Sequence, residues 1–210
     1  MAVTLTVFGA NGSLGRRLVR QAVDRGHPVR AVVATGSSTP EFPPEVTVLD
    51  ADVYEGTNIE AAVEGSTAVC NVCRHSTLTP PDYAAVGGRH ILDAMAAAGV
   101  DRYLTVVPAA AGGSDSTAGV AESLAVTLFR LFRPRVTADA TAHVDDVTDR
   151  DLDWTVVRPL RLTEGPPTRQ YKTGAIPLGF RGVSDGDAAA FLLDCYERGI
   201  YRRMQPKIRP

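Results

Sequence analysis

The chain has 210 residues, a formal net charge of −2 and 44% apolar residues. This length suits one globular domain with a sizeable core. The weak net charge excludes the strongly basic class of nucleic-acid-binding proteins. No apolar run approaches the roughly 20 residues that cross a bilayer, and the first segment, MAVTLTVFG, lacks the features of a signal peptide. We therefore expect a cytoplasmic protein that has neither a nucleic acid nor a membrane as a partner.

The first half of the chain alternates strand-like and helix-like segments. Strands are predicted at AVTLTVF, HPVRAVVA, EVTVLDADV, STAVCNVC and DRYLTVV. Helices are predicted in the connections, at SLGRRLVRQAVDRG, NIEAAVEG and PDYAAVGGRHILDAMAAAGV. This alternation predicts an α/β fold of the Rossmann type, in which a doubly wound parallel sheet carries helices on both faces. We expect a single domain over residues 1–210.

The second half is less regular. Helices are predicted at AESLAVTLFRLF and ADATAHVDDVTDR, and DWTVVRP is a strand that Pro159 ends. SDGDAAAFLLDCYERG is a helix capped by Ser184 or Asp185 and ended by Gly199, and IYRRMQPKIRP is a basic tail or a short last strand. Two irregular segments are expected to form a pocket at the open end of the sheet: 109–135 and 160–182.

The segment VFGANGSLGRR places Gly9, Gly12 and Gly15 directly after the first strand and at the start of the first helix. In a dinucleotide site, the first glycine permits the turn and the second lets the backbone approach a pyrophosphate. The third glycine lets the helix pack closely on the strand. The amides from 11 to 14 then face the anion at the positive end of the helix. The alternative is an ordinary strand-to-helix turn with incidental glycines.

The end of the second strand bears on the choice of cofactor. An NAD site usually has an acidic residue here that binds the ribose 2′-hydroxyl, but residues 30–40 contain no Asp or Glu. A 2′-phosphate is therefore expected to meet no repulsion, with Thr35 and its serine neighbours as hydrogen-bond donors and Arg16 or Arg17 nearby. We predict NADP(H) over NAD(H). After the third strand, Asp52 is either an adenine ligand or a solvated turn aspartate.

Three cysteines, Cys70, Cys73 and Cys195, make a disulfide framework unexpected. Cys70 and Cys73 match Cys-x-x-Cys, but they lie on a predicted strand rather than at a helix start. Positions three apart on a strand point to opposite faces. We therefore expect no metal site and no redox pair here.

Four segments resemble the atypical short-chain dehydrogenase/reductase superfamily, in its NAD(P)H-binding branch that includes biliverdin-IXβ and flavin reductases and NmrA-like redox sensors. The segments are VFGANGSLGRRLVRQAVDRGHPVRAVV, LDADV, LDWTVVRPLRLTEGPPTRQYK and VSDGDAAAFLLDCYE. Together they span nearly the whole chain.

The resemblance implies a set of cofactor ligands. The pyrophosphate is expected to be held by Gly9, Asn11, Gly12, Ser13, Leu14 and Gly15. Adenine is expected to contact Asp52 and Val53, the ribose Cys73 and Arg74, and the nicotinamide Pro159, Leu160 and Arg161.

The sequence also departs from the family pattern. Where members commonly carry serine or threonine after the fifth strand, this chain has Pro108 and Ala109. The Tyr-x-x-x-Lys pair of the wider superfamily is missing from ADATAHVDDV, and the turn after the fourth strand is CRHST rather than glycine-rich. A quinone or flavin tolerates the lack of a positioned acid, because it can take its proton from water, whereas a simple ketone does not.

Three side chains are candidates for catalysis. His143 and His75 are candidates for proton transfer, with an exposed helical histidine and a loop histidine as the alternatives. Tyr171 either closes over the acceptor or anchors its loop by packing. Arg161 is a candidate for binding an anionic substrate group or the cofactor phosphates.

The sequence leads to one favoured function and two alternatives. We favour an NADPH-dependent reductase of a quinone, flavin or other conjugated small molecule, acting as a monomer or homodimer. The first alternative is a redox sensor that binds NADP(H) without turnover and acts on a protein partner. The second is a pathway enzyme that uses the fold for a non-redox isomerisation or cyclisation.

Overall fold

The computed structural model describes residues 4–76, 79–112, 120–178 and 180–210. The strands in these ranges are β1 Thr4–Phe8, β2 Val29–Ala34, β3 Thr47–Ala51, β4 Ser66–Asn71, β5 Arg102–Val106, β6 Asp153–Pro159, β7 Leu162–Thr163, β8 Lys172–Gly174, β9 Val183–Ser184 and β10 Lys207–Arg209. The helices are α1 Ser13–Asp24, α2 Ile59–Val63, α3 Tyr83–Ala98, α4 Val120–Phe132, α5 Pro134–Asp149 and α6 Asp185–Arg198.

An eight-stranded sheet has the order β3-β2-β1-β4-β5-β6-β10-β8. Its neighbours pair in parallel except β8, which pairs antiparallel to β10. A second, two-stranded sheet joins β7 to β9. The strand order reverses between β1 and β4, which opens a crevice at their carboxyl ends. The predicted doubly wound fold is confirmed.

The sheet separates two apolar clusters. On one face, α1 packs beside α6, and on the other α3 packs beside α2 and α5. The apolar stripe of α1, which comprises Leu14, Leu18 and Ala22, is fully buried. Helical spacing brings these residues onto one side of α1, where they cover the sheet.

The irregular second half is tied to the sheet by short elements. The Ser184 hydroxyl caps α6 by accepting a hydrogen bond from the Asp187 N–H at 3.0 Å, and Gly199 ends the helix at φ +58°. The basic C-terminal segment contains a short strand, β10. Of the two predicted alternatives, a basic tail or a short last strand, the structure has the strand. None of the helices in the four described ranges is long and apolar enough to cross a membrane.

Cys70 and Cys73 lie on opposite sides of the sheet. Cys70 is buried in the cluster beneath α1 and α6, while Cys73 packs against the cluster beneath α3. Both are free thiols, and burial raises the pKa of each to about 12. This confirms the prediction that the two side chains point apart. In the described ranges, no group of three or more His, Cys, Asp or Glu side chains is placed to hold a metal ion.

A buried ion pair fastens α4 to the edge of the sheet. The Lys207 Nζ on β10 lies 2.6 Å from the Glu122 Oε1 on α4, and both side chains are at most 3% exposed. The other Glu122 oxygen accepts a hydrogen bond from the Leu178 N–H at 2.8 Å. One carboxylate therefore connects α4, β10 and the loop that follows β8.

We predict that Lys207→Met lowers the free energy of unfolding by about 3 kcal/mol, because it leaves the Glu122 carboxylate buried without its cation. Urea denaturation measures the loss. Combining Lys207→Met with Glu122→Gln is expected to recover part of the stability, since no uncompensated charge then remains. A double variant that is less stable than Lys207→Met would contradict this explanation.

Candidate functional site

The three glycines form a tight corner between β1, α1 and the end of β4. Gly9 has φ +80°, and a Cβ at this position would lie 2.8 Å from the backbone nitrogen of Cys73. A Cβ on Gly15 would lie 2.1 Å from the Gly9 carbonyl oxygen. Both positions require glycine, which agrees with their predicted roles in the turn and in helix packing.

Gly12 leaves the start of α1 open. Its φ of −75° and ψ of 165° are available to any residue, so its missing side chain provides space rather than conformational freedom. Gly12 is exposed, and α1 has neither a side-chain cap nor an acidic residue in its first turn. The first-turn amides are therefore available to an anion at the positive end of the helix.

Two adjoining cavities lie at the carboxyl ends of the parallel strands. The glycine-loop cavity, of about 280 Å³, is lined by Gly9, Asn11, Gly12 and the ends of β1, β2 and β3. The apolar cavity, of about 460 Å³, lies between the sheet, α3, α4 and α5. Six residues line both: Leu14, Val53, Val72, Cys73, Arg74 and Tyr83. A ligand extending from the glycine corner therefore passes directly into the apolar cavity.

The structure brings most of the predicted cofactor ligands to these cavities. The glycine-loop cavity contains Gly9, Asn11, Gly12, Leu14, Val53, Cys73 and Arg74. The apolar cavity adds Pro159, Leu160 and Arg161. Ser13 lines a third cavity, of about 280 Å³, with Arg16, Arg17 and Arg20.

The irregular segments 109–135 and 160–182 both reach the apolar cavity. The first contributes Ala125, Phe129 and Arg133 from α4 and the residue that follows it. The second contributes Leu160, Arg161, Leu162 and Phe180.

Thr35 has a neighbour that the local sequence did not indicate. Its hydroxyl donates to the Asp50 Oδ2 on β3 at 3.2 Å. The absence of acids from residues 30–40 therefore does not leave this place free of negative charge. The expectation that a 2′-phosphate meets no repulsion beside Thr35 is wrong, because strand pairing brings in a carboxylate from 15 residues away.

Asp52 organises its own turn. Its Oδ1 accepts hydrogen bonds from the backbone N–H groups of Tyr54 at 2.9 Å and Glu55 at 3.0 Å. The residue lining the cavities at this point is Val53, against which Gly87 of α3 packs closely. This arrangement favours the turn-aspartate interpretation of Asp52.

His143 is buried in the wall of the apolar cavity, so the exposed-histidine alternative is wrong. Its Nε2 lies 3.1 Å from the Tyr103 hydroxyl, which accepts a hydrogen bond from the Asn71 side-chain amide at 2.9 Å. The Tyr103 hydroxyl and Nε2 share one hydrogen bond whose donor is set by the imidazole tautomer, and the other ring nitrogen is Nδ1. That Nδ1 has no hydrogen-bond partner within the described ranges and lies directly against Gly88.

Burial also determines the charge of His143. It lowers the pKa of the imidazole to about 4, against weaker opposing effects of Asp146 and Asp139. The side chain is therefore neutral near pH 7. It is a hydrogen-bonding group at the cavity wall rather than a ready source of protons.

His75 is held by the Asp139 carboxylate. Its Nε2 contacts Asp139 Oδ2 and its Nδ1 lies 3.3 Å from the Thr79 hydroxyl. The same buried carboxylate accepts hydrogen bonds at 2.8 Å from the backbone N–H groups of Ala84 and Ala85 in the first turn of α3. Asp139 thus caps α3 from a different helix and fixes His75 at the edge of the apolar cavity.

Tyr171 lies with α1 and α6 rather than at the apolar cavity. Its ring packs 6.1 Å from that of Phe191, and its hydroxyl donates to the Asp194 Oδ2 at 3.1 Å. This placement matches the loop-anchor alternative. It does not support a role in closing over a substrate.

A family model described as NAD(P)H-binding matches residues 9–198. The chain belongs to this NAD(P)H-binding family. An uncharacterized chloroplastic protein of Arabidopsis thaliana is 27% identical over 171 residues, which cover 77% of this chain and 60% of that protein. The chain therefore spans about three fifths of that relative's length.

Solved structures share the fold along the full chain. The oxidoreductase ylbE from Lactococcus lactis has a TM-score of 0.80 at 15% identity, covering 99% of this chain and 90% of its own. ChuY, an anaerobillin reductase from Escherichia coli O157:H7, has a TM-score of 0.79 at 18% identity, covering 98% and 96%. These likenesses establish the Rossmann-type fold of this NAD(P)H-binding protein.

The residues present fit the nicotinamide cofactor that the family implies. The exposed Gly12 and the uncapped first turn of α1 suit a diphosphate. Across the crevice, the Arg74 Nη1 lies 3.9 Å from the Asp185 Oδ1. Asp185 is fully buried, and neither carboxylate oxygen has a hydrogen bond within the described ranges. This carboxylate therefore draws the Arg74 guanidinium toward the junction of the two cavities.

Several residues that shape the site gave no signal in the sequence. Tyr83 lines both cavities, and its hydroxyl bonds the Cys73 thiol. Asp139, Asn71 and Tyr103 position the two histidines. In the sequence, these positions appear only as polar residues within otherwise apolar strands and helices. Such residues are more often exposed or structural than functional, so they do not indicate a site.

We predict that His143 makes stability depend on pH. The folded-state pKa of about 4 lies below the ordinary value of 6.5, so the unfolded chain takes up a proton first as the pH falls. Stability should therefore decrease below about pH 6.5, by about 2 kcal/mol between pH 7 and pH 5. Urea denaturation across this pH range should show that the free energy of unfolding changes less steeply with pH in His143→Gln than in wild type. An unchanged slope would mean that His143 does not remain neutral when folded.

Proposed function

We propose that this protein is an NADPH-dependent reductase of a planar conjugated small molecule, such as a quinone or a flavin. One observation carries the proposal. An apolar cavity of about 460 Å³ adjoins the glycine corner, and its buried histidine has its pKa lowered to about 4. This site suits an acceptor that needs orientation and a dry surrounding more than it needs a strong acid.

The shared wall of the two cavities supports a cofactor bound across both. The diphosphate would lie at the first turn of α1, near Arg74, and the nicotinamide would lie toward Pro159 and Arg161. When bound, a reduced nicotinamide supplies a hydride to an electrophilic atom. The chain's contribution is to align that atom and to exclude water.

The walls of the apolar cavity fit a flat, largely apolar acceptor. Ile91, Val107, Phe129, Val136 and Ala140 provide apolar contacts. Arg133 and Arg161 are exposed at the same cavity and provide positive charge for an acidic substituent. The neutral His143 lies in the wall between α3 and β5, where it limits the depth to which a ring enters.

Several polar groups beside the cavity are already engaged. The Thr105 hydroxyl donates to the Asn71 carbonyl oxygen at 2.9 Å, and Pro108 has no N–H to offer. His75 contacts Asp139 and Thr79 through its two ring nitrogens. Among the described groups at the cavity, a simple ketone would thus find no ready acid, whereas a quinone or flavin takes its proton from water. The reductase activity of ChuY, which shares this fold, is consistent with the proposal.

We also propose a preference for NADPH over NADH. Its support is the cluster of Arg16, Arg17 and Arg20 on α1, which lines a cavity with Ser13 and a single carboxylate, Glu41. The Arg16 Nη1 donates to the Asn11 carbonyl oxygen at 2.6 Å, and the Asn11 side chain donates to the Ser37 hydroxyl at 3.1 Å. This places a cation near the end of β2.

The two alternative functions have weaker support. A redox sensor would need the same cofactor site but no acceptor cavity, and the size of the apolar cavity therefore favours turnover. An isomerase or cyclase would need a free base. The engaged nitrogens of His75 and the lowered pKa of His143 argue against that chemistry.

Absorbance at the nicotinamide band tests the proposal. We predict that the purified protein oxidises NADPH faster than NADH when a quinone or flavin panel is supplied, and that simple ketones support no turnover. Tight NADPH binding without turnover by any conjugated acceptor would favour the sensor. Neither binding nor turnover would favour the non-redox alternative.

We predict that Gly12→Val weakens NADPH binding by at least about tenfold, or about 1.4 kcal/mol. The backbone angles of Gly12 accept valine, so the fold should persist while the side chain fills the space before the first-turn amides. Isothermal titration calorimetry measures the change in NADPH affinity. Gly12→Ala is the matched control, because its smaller side chain should have an intermediate effect. Wild-type affinity in Gly12→Val would place the diphosphate elsewhere.

A further inference from the structure

Helix α4 has an apolar face that no described element covers. We call Leu124, Leu128, Leu131 and Phe132 the α4 face. These side chains are 56%, 45%, 70% and 75% exposed. Leu124, Leu128 and Leu131 follow helical spacing and form one stripe. Four large apolar side chains at this exposure form a continuous patch, which is typical of an interaction surface.

The charged residues within this stretch of the sequence are all positive. Residues 123–138 contain Arg130, Arg133 and Arg135 and no Asp or Glu. All three arginines are exposed, although Arg130 also donates to the carbonyl oxygens of Ala110 and Gly112. This basic stretch belongs to a chain whose net charge is −2. We call these three arginines the arginine rim.

The α4 face lies next to the mouth of the apolar cavity. Ala125 and Phe129 line the cavity, and on a helix they lie about 100° around from the exposed leucine stripe. Phe180, another lining residue, is 66% exposed. One short helix therefore forms both a cavity wall and an exposed apolar surface.

We propose that the α4 face docks on an anionic membrane surface, with the arginine rim at the level of the lipid headgroups. Exposed aliphatic and aromatic side chains flanked by arginines match the pattern of a helix that lies in the membrane interface. The cavity wall formed by Ala125 and Phe129 then lies beside the docked surface, about 100° around the helix from it. This surface attachment modifies our expectation of no membrane partner, and it does not depend on the proposed reductase activity.

A second copy of the chain is a poorer occupant. A second copy would bring the same basic stretch to the interface. Residues 123–138 supply no carboxylate to compensate these like charges. Anionic lipid headgroups supply that compensation directly.

Vesicle sedimentation with the full-length protein tests the proposal. We expect the protein to bind phosphatidylcholine vesicles that contain phosphatidylglycerol at least about tenfold better than phosphatidylcholine alone, and high salt should reverse the binding. The double variant Leu131→Ser/Phe132→Ser should lose binding, and Arg133→Gln/Arg135→Gln should lose the preference for anionic lipid.

Matched controls change similar residues elsewhere. Met204→Ser removes a different apolar side chain that is 52% exposed, and Arg89→Gln/Arg198→Gln removes two exposed charges from α3 and α6. Both controls should bind vesicles like wild type, and thermal unfolding should show that all variants fold. Binding that is absent, indifferent to anionic lipid or unchanged in the Leu131→Ser/Phe132→Ser variant overturns the proposal. The proposal is also overturned if the protein binds no vesicles but forms a dimer that the Leu131→Ser/Phe132→Ser substitutions dissociate into monomers.

Discussion

The close approach of α1 to the turn after β1 governs the geometry of the whole site. A single added carbon at Gly15 would lie 2.1 Å from the Gly9 carbonyl oxygen, and one at Gly9 would meet the backbone at the end of β4. Any larger residue would push the helix away from the sheet. The resulting corner places the uncapped start of α1 over the crevice at the strand-order reversal, where both cavities begin.

The polar side chains around the apolar cavity mostly satisfy one another. Asp139 caps α3 and fixes His75, while Asn71 and Tyr103 together orient His143. Burial keeps His143 uncharged by lowering its pKa. The site therefore binds and orients more readily than it delivers protons. This property underlies the proposal of a conjugated acceptor.

The irregular second half contributes the features in which this chain differs most from a plain Rossmann sheet. Helix α4 is fixed from beneath by the buried pair of Glu122 and Lys207, it walls the apolar cavity, and it exposes an apolar stripe beside arginines. These properties depend on one another. A helix held at one point to the sheet edge can offer one side to the cavity and another to a partner.

Much of the architecture was predictable from local signals. The alternating strands and helices, the stripe of α1, the Ser184 cap and the glycine corner each depend on residues within a few positions of one another, so the sequence by itself determined them. The buried state of His143, the carboxylate beside Thr35 and the location of Tyr171 were decided only by tertiary structure. Burial and charge at a site depend on residues distant in sequence, such as Asp50, Tyr103 and Phe191, which approach only when the sheet and its helices assemble.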